Sequence, residues 1–323
     1  MFRLTLLRRA IALCLFFHAI EIRGIQLSST TQEEPTSFAQ ASAYGQVKQN
    51  YISMKSTIIV AAASGQDSGS WDQTYFAVHE TSSGGPNDNY YGLQATTGVY
   101  GHKLKPRQLT STFITVTHSG DGVKSSFNAI QVGWHIHPEN YGDSRPHFYT
   151  YWTRDGYGAT GCFNMNCPGF IRASGALVAP GDVIKSNSGV HEPVQNITLK
   201  VLKDKTSGDW WVYYGFNGNP MGVGYFPRSL FTYLAQKANG MAFGAFVIAD
   251  KTLPTPPMGS GAHPNGGQGR AASFTNLRFI DQDGRSNPMT TDWPKLVTSN
   301  KCHSITPIDR AGCLYGGPGG CVR

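Results

Sequence analysis

From Ile130 onward apolar and polar residues alternate: Ile130, Val132, Trp134 and Ile136 fall on one face of an extended strand, and Gln131, Gly133 and His135 on the other. The apolar set belongs in a core, and the small, polar set faces open space. A second run sets Phe148, Thr150 and Trp152 against Tyr149, Tyr151 and Thr153, so both faces of that strand carry rings. A sheet buried on one side and used for binding on the other has this pattern. The competing reading is that all these aromatics fill the core. Further strands are expected at Thr57 to Ala63, Tyr75 to Glu80, Tyr90 to Val99, Leu109 to Thr117 and Phe127 to Ile136. Ile197, Leu199 and Val201 alternate with polar partners before Asp204 to Gly208 turns the chain into Trp210 to Tyr214, a hairpin signal. One helix is expected from Pro227 to Asn239, with Pro227 at its first position, Leu230, Phe231, Leu234 and Ala238 on one face, and Gly240 as its stop. Short strands joined by turns in a chain with 38 glycines predict an all-β fold, an antiparallel β-sandwich with one short helix.

The amino-terminal residues change the picture of organisation. Arg3, Arg8 and Arg9 precede an apolar run from Ala10 to Ile20. That run falls short of the about 20 apolar residues a bilayer span needs, and it has the charge order of a secretory signal. The expected division is a signal peptide over 1–24, a polar, short propeptide-like segment over 25–70 and a β-domain over 71–323, giving a secreted, extracellular protein with no membrane segment in its mature form. The whole chain carries +7 from 27 basic and 20 acidic residues. Four of the basic and one of the acidic residues leave with the signal, so the mature balance is +4. No Lys/Arg stripe interleaves with aromatics, which argues against a nucleic-acid partner. A mildly basic secreted protein can adhere to an anionic wall polymer.

Cys14 lies in the signal, so Cys162, Cys167, Cys302, Cys313 and Cys321 remain, an odd number that cannot all pair within one chain. Cys162 and Cys167 are close enough to clip one turn in an oxidising compartment. The spacings match no structural zinc site. His135 and His137 form an H-x-H on one strand face without an indicated third ligand and read as exposed sheet histidines, so no metal is expected. No cofactor fingerprint and no serine-hydrolase elbow are present. Asp143 and Asp155 could form an acid pair for glycoside chemistry, but their YGD and TRDG contexts are those of turn formers. Asn196, in Asn196-Ile197-Thr198, is a glycosylation candidate at the head of a predicted strand.

The order GW, YGD, an aromatic strand ending YWT, TGCFNMNCPGF, and later MGSG and YGGPGG resembles the neprosin family of secreted, plant-associated peptidases that cut beside proline. The resemblance runs from about Tyr90 to Cys321. It implies paired antiparallel sheets, two catalytic glutamates in a cleft, a Cys162–Cys167 clip and a Cys302–Cys321 bridge with Cys313 left over. Cys302 with Cys313 is the alternative pairing. Where the family carries Glu in I-E-(A/V)-G-W this chain has Gln131, and where it carries W-G-G-E-V the chain reads Phe243, Gly244, Ala245, Phe246, Val247. Both glutamate positions are therefore substituted, and the resemblance implies that they meet on adjacent or facing strands of one concave surface.

Hydrolysis by a carboxyl pair needs two groups that exchange protons. Gln131 can hold a water or polarise a carbonyl but cannot take a proton, although a Gln works beside a Glu in the eqolisins. Phe246 can do neither, and the next acid, Asp250, lies about 13 Å further along a strand. Three readings follow. The first is a peptidase-like protein without the acid pair that keeps a groove for extended, Pro-containing peptides, lined by Trp134, His135, Tyr149 and Tyr151 and by the loop Pro254 to Gly261. The second is an active prolyl endopeptidase that uses Gln131 with another carboxylate. The third is a wall-carbohydrate binder whose rings stack on sugars.

Overall fold

The computed structural model describes residues 73–81, 89–185 and 194–322. The expected signal over 1–24, the polar segment over 25–70 and the strand from Thr57 to Ala63 lie outside them. Two antiparallel sheets account for the sixteen strands among the described residues. The first runs β14 (Lys295–Val297), β1 (Gln73–Glu80), β11 (Gly240–Ala249), β3 (Gln108–His118), β4 (Asn128–Ile136), β5 (His147–Thr153) and β6 (Cys162–Phe163). The second runs β15 (Ser304–Ile305), β16 (Cys313–Gly316), β12 (Ala272–Ile280), β2 (Gly92–Gly98), β8 (Asn196–Lys203), β9 (Trp210–Phe216), β10 (Met221–Phe226) and β7 (Ile171–Arg172), with β13 (Ser286–Pro288) beside β12. The fold is the expected all-β sandwich.

Period-2 patterning places the core between the sheets. Ile130, Val132, Trp134 and Ile136 of β4 point inward with Phe243, Ala245 and Val247 of β11, and they meet Leu199, Val201, Trp210, Val212 and Phe274 of the second sheet. Each such aliphatic or aromatic side chain withdrawn from water contributes roughly 1.5–3 kcal/mol before the entropy of ordering is subtracted. Among the described residues, two of the three buried indoles, Trp134 and Trp210, have a partner for their N–H groups, whereas Trp152 Nε1 has none. Trp134 Nε1 donates to the Gly98 carbonyl at 3.1 Å and Trp210 Nε1 to the Leu234 carbonyl at 2.8 Å.

The helix expected from Pro227 to Asn239 does not form. A single 3-10 turn, Arg228–Leu230, is followed by turns, although Phe231, Leu234 and Ala238 are buried as the apolar pattern requires. The cause lies about a hundred residues away, in the fully buried Asn128. Its Oδ1 accepts the backbone N–H groups of Thr232, Tyr233 and Leu234 at 3.1, 2.9 and 3.1 Å. Those are donors a helix would have spent on its own carbonyls. Its Nδ2 donates to the carbonyls of Ser126 and Arg154. The one α-helical turn among the described residues, α1 (Pro138–Tyr141), begins with proline and closes on Gly142 at φ 74°, whose N–H returns to the Pro138 carbonyl at 2.8 Å.

Disulfides join Cys162 to Cys167 and Cys302 to Cys321, both with Cα atoms 6.0 Å apart. Cys313 is a free, buried thiol, so the alternative pairing of Cys302 with Cys313 is not adopted. Burial pushes its thiol up, out of the range where a thiolate forms.

Candidate functional site

The outer face of the first sheet carries the polar positions singled out in the sequence. Strand pairing sets out three rows across it. Gln131 pairs with Thr115, Thr115 with Ala242, and Ala242 with Glu80. Gly133 pairs with Phe113 and Phe113 with Gly244. His135 pairs with Ser111 and Ser111 with Phe246. Gln131 and Phe246 thus share a face but not a row: β3 separates their strands and they are offset by four positions. That is about 13 Å along the strands and about 10 Å across them. They are neither on adjacent strands nor facing one another.

This face is not an open floor. Gln131 is 2% exposed, His135 1%, and Tyr149 and Phe246 are fully buried. Phe76, Phe113, Tyr149, Tyr151, Phe163 and Phe246 form a second apolar cluster on it. The reading in which the aromatics fill a core therefore holds here, with two cores, one on each side of the sheet. Trp134 does not line this face: it stands on the opposite side of β4, in the inter-sheet core. Period 2 dictates that outcome for a residue three positions from Gln131.

Gln131 lies opposite Tyr151 in the β4–β5 register, yet its Nε2 donates to the hydroxyl of Tyr149 at 2.6 Å. Gly133 makes this diagonal contact possible. A Cβ at Gly133 would lie 2.9 Å from Tyr149 Cε1, so the missing side chain lets the Tyr149 ring lean over β4. The Tyr149 hydroxyl also meets Ser111 Oγ at 2.9 Å, and Ser111 in turn donates to the Trp134 carbonyl at 3.4 Å. Proton directions along the chain are then fixed: Gln131 to Tyr149, Tyr149 to Ser111, Ser111 to backbone. Desolvation pushes the Tyr149 phenol well above its ordinary range, so it stays a neutral donor.

His135 stacks on Tyr149 with centroids 4.2 Å apart, and its Nε2 meets the Tyr141 hydroxyl at 2.8 Å. Burial holds its pKa well below the ordinary value, with further depression from His137 and His147. His137, 5% exposed, is lowered to about 4 by desolvation. The expectation of exposed histidines is therefore overturned: His135 is packed among Tyr141, Tyr149 and Phe163, His137 lies against His135, and burial keeps both neutral. His147 stacks on Tyr141 at 3.7 Å and reaches the Gly181 carbonyl and Asp143. Asp143 also holds the Arg145 guanidinium with Oδ2, and that partner lowers its carboxyl strongly. Asp155 takes backbone N–H groups of Gly158, Ala159 and Thr160. Both aspartates build turns.

Phe246 packs against Phe113 and Phe76, with centroids 5.6 and 6.1 Å away. Asp250 is tied to Arg107 and Thr252 at the far end of the sheet. Among the described residues, Glu80 is the only carboxylate within a strand of this sheet. It is 7% exposed and closes Gln131's own row three strands away, about 14 Å at the Cα atoms. The run Tyr75 to Glu80 marks its strand in the sequence, but only the register of three strand pairs sets Glu80 in line with Gln131. The Asn196 side chain is exposed where β8 begins.

Residues 106–318 match the family model described as Neprosin. Among solved structures, the chain is similar to Scytalido-glutamic peptidase with a peptide-based transition-state analogue, at 10% identity and a TM-score of 0.37 over 77% of this chain and 98% of that one. It is also similar to a member of the eqolisin family of peptidases in complex with the tripeptide Ala-Ile-His, at 8% identity and a TM-score of 0.36 over 75% and 98%.

Proposed function

This chain belongs to the Neprosin family, and from that premise we propose that it is a secreted, peptidase-like protein without the carboxyl pair, whose strip at Gln131, Ser111 and Tyr149 takes extended, Pro-containing peptides without cutting them. The observation that carries this reading is the partner of Gln131. Its amide is spent on a neutral phenol, no carboxylate lies within hydrogen-bond reach of it among the described residues, and the other substituted position is an aromatic ring packed among rings. A water at Gln131 would have no base to take its proton. Two disulfides support the secreted part of the reading, since such bridges persist in oxidising compartments.

Peptide contact requires the rings over the strip to move. Tyr141 lies on His147, and Tyr157 stacks on Tyr151 at 5.1 Å. Fluorescence anisotropy with a labelled Pro-containing octapeptide tests the proposal: binding is expected to weaken about tenfold in Gln131→Ala and to strengthen in Tyr157→Ala. Affinity indifferent to both changes would reject the strip as the peptide site. One observation favours the second reading, an active peptidase: the buried Glu80 in Gln131's row. That reading requires cleavage that is lost in both Gln131→Ala and Glu80→Gln.

A further inference from the structure

The outer face of the second sheet carries rings that the inter-sheet core does not use. On β9, Trp210, Val212 and Tyr214 point inward, which leaves Trp211 and Tyr213 on the solvent side, both half-buried. On β10, Tyr225 pairs with Trp211 and Gly222 with Tyr213. The Trp211 ring lies 5.0 Å from Tyr225 at 31° and 6.4 Å from Tyr213 at 45°. Gly222 keeps the space between them clear, because a Cβ there would sit 3.3 Å from Trp211 Cε3 and 3.6 Å from Tyr213 Cε1. Lys200 flanks the platform with its ammonium 5.3 Å from the Tyr213 centroid.

Beside the rings the β8–β9 turn supplies a polar wall, and together they border a shallow, open depression of about 520 Å³. Asp204 and Asp209 line it with the hydroxyl residues Thr206 and Ser207. The wall is held in place before any ligand arrives. Asp204 Oδ1 accepts the N–H groups of Thr206 and Ser207 at 3.0 and 2.7 Å, and Asp209 Oδ1 accepts that of Arg228 at 2.8 Å.

We infer that this depression is a binding site for a neutral oligosaccharide, separate from the Gln131 strip. A pyranose offers an apolar C–H face to a ring and a rim of hydroxyl donors at its edge. Trp211, Tyr213 and Tyr225 match the face, and the two carboxylates match the rim through charge-assisted hydrogen bonds. Lys200, Lys203, Lys205 and Arg228 surround the two carboxylates, so charge does not exclude a polyanion, and the match of rings and acceptors to a hydroxylated chain is what selects the ligand. The carboxylates disfavour a Pro-rich peptide, whose backbone lacks N–H donors at proline and turns carbonyl oxygens outward. The mutual tilt of the three rings suits a twisted single chain better than a flat crystalline surface. The inference does not rest on the peptidase reading.

Affinity electrophoresis of the full chain tests it, in gels containing hydroxyethylcellulose, galactomannan or xyloglucan, with polygalacturonate as the charge control. Retardation is expected in at least one neutral gel at a salt concentration that abolishes any retardation in polygalacturonate. The apparent affinity should fall at least tenfold in Trp211→Ala and about threefold to tenfold in Asp209→Asn, while Trp211→Phe keeps most of it. Thermal melts identify any variant that has lost its fold. Should Trp211→Ala be one, Gly222→Val reports in its place, since its side chain fills the gap between the rings and should also cost at least tenfold. Absence of retardation in all three neutral gels overturns the inference. So does retardation that survives in folded Trp211→Ala or Gly222→Val, or that is displaced by an octaproline peptide but not by the matching oligosaccharide.

Discussion

Replacing Phe246 by glutamate would put an acid back where the family pattern has one, and the structure says what that costs. Phe246 is fully buried, with the rings of Phe113 and Phe76 against it. Losing a buried phenylalanine ring costs about 3–5 kcal/mol. The new carboxyl adds a pH-dependent penalty, because a site lined by rings raises its pKa above the unfolded value of about 4.3. A group whose folded pKa is raised keeps its full stability below the unfolded pKa and loses it as pH rises towards the folded one. Between about pH 4.3 and 7, at about 1.4 kcal/mol per unit, the further loss is roughly 3–4 kcal/mol. Phe246→Glu should therefore be about 3–5 kcal/mol less stable than the parent at pH 4 and about 6–9 kcal/mol less stable at pH 7. That larger loss is enough to unfold a domain of ordinary stability. Urea melts of Phe246→Glu, Phe246→Gln and the parent at both pH values separate the terms, since Phe246→Gln carries the packing loss without the ionisation. If Phe246→Glu lost less than about 1 kcal/mol at pH 7, the position would be polar and hydrated, and the argument for an apolar replacement of the acid would fail.

Three further outcomes follow from the packing. Asn128→Ala strands the three N–H groups of the 232–234 turn and the carbonyls of Ser126 and Arg154, and should cost about 3–5 kcal/mol in a denaturant melt. Acid should destabilise the fold between about pH 6.5 and 4: His137 and His303 are lowered to about 4 by burial, so the unfolded chain takes up their protons first, at about 3 kcal/mol each over that window. His303→Gln should flatten the measured pH dependence. Opening the Cys302–Cys321 loop by Cys→Ser pairs should cost about 3 kcal/mol against about 2 kcal/mol for Cys162–Cys167, because the first closes the longer loop.

Local alternation is enough to read β3, β4, β5 and the β8–β9 hairpin, since the inward sets are apolar apart from threonines in β3 and β5 and the hairpin turn carries Gly and Asp. It is not enough at Pro227 to Asn239, where apolar spacing is correct and the backbone state is not. The donors of Thr232 to Leu234 are claimed by Asn128 from another strand, and no local pattern carries that information. The outer face of the first sheet misled for a similar reason. Two-sided aromatic strands serve equally a groove or a second core, and burial alone decides between them. The partnership of Gln131 with Tyr149 depended on a diagonal reach across Gly133, and the alignment of Glu80 with Gln131 on three consecutive registers. Trp211, Tyr213 and Tyr225 carry the same alternating signature as Tyr149 and Tyr151, but it is they that remain partly open to solvent.

A Gln131 strip without proton-transfer chemistry leaves a bound peptide uncut, and mass spectrometry reads this without a label. The purified protein is incubated with a Pro-containing peptide in steps from pH 3 to 7, and the peptide is weighed. Intact peptide is expected at every pH, in the parent, in Gln131→Ala and in Glu80→Gln alike. Products cut beside proline by the parent, and absent from both variants, would contradict it and make Glu80 the missing carboxylate.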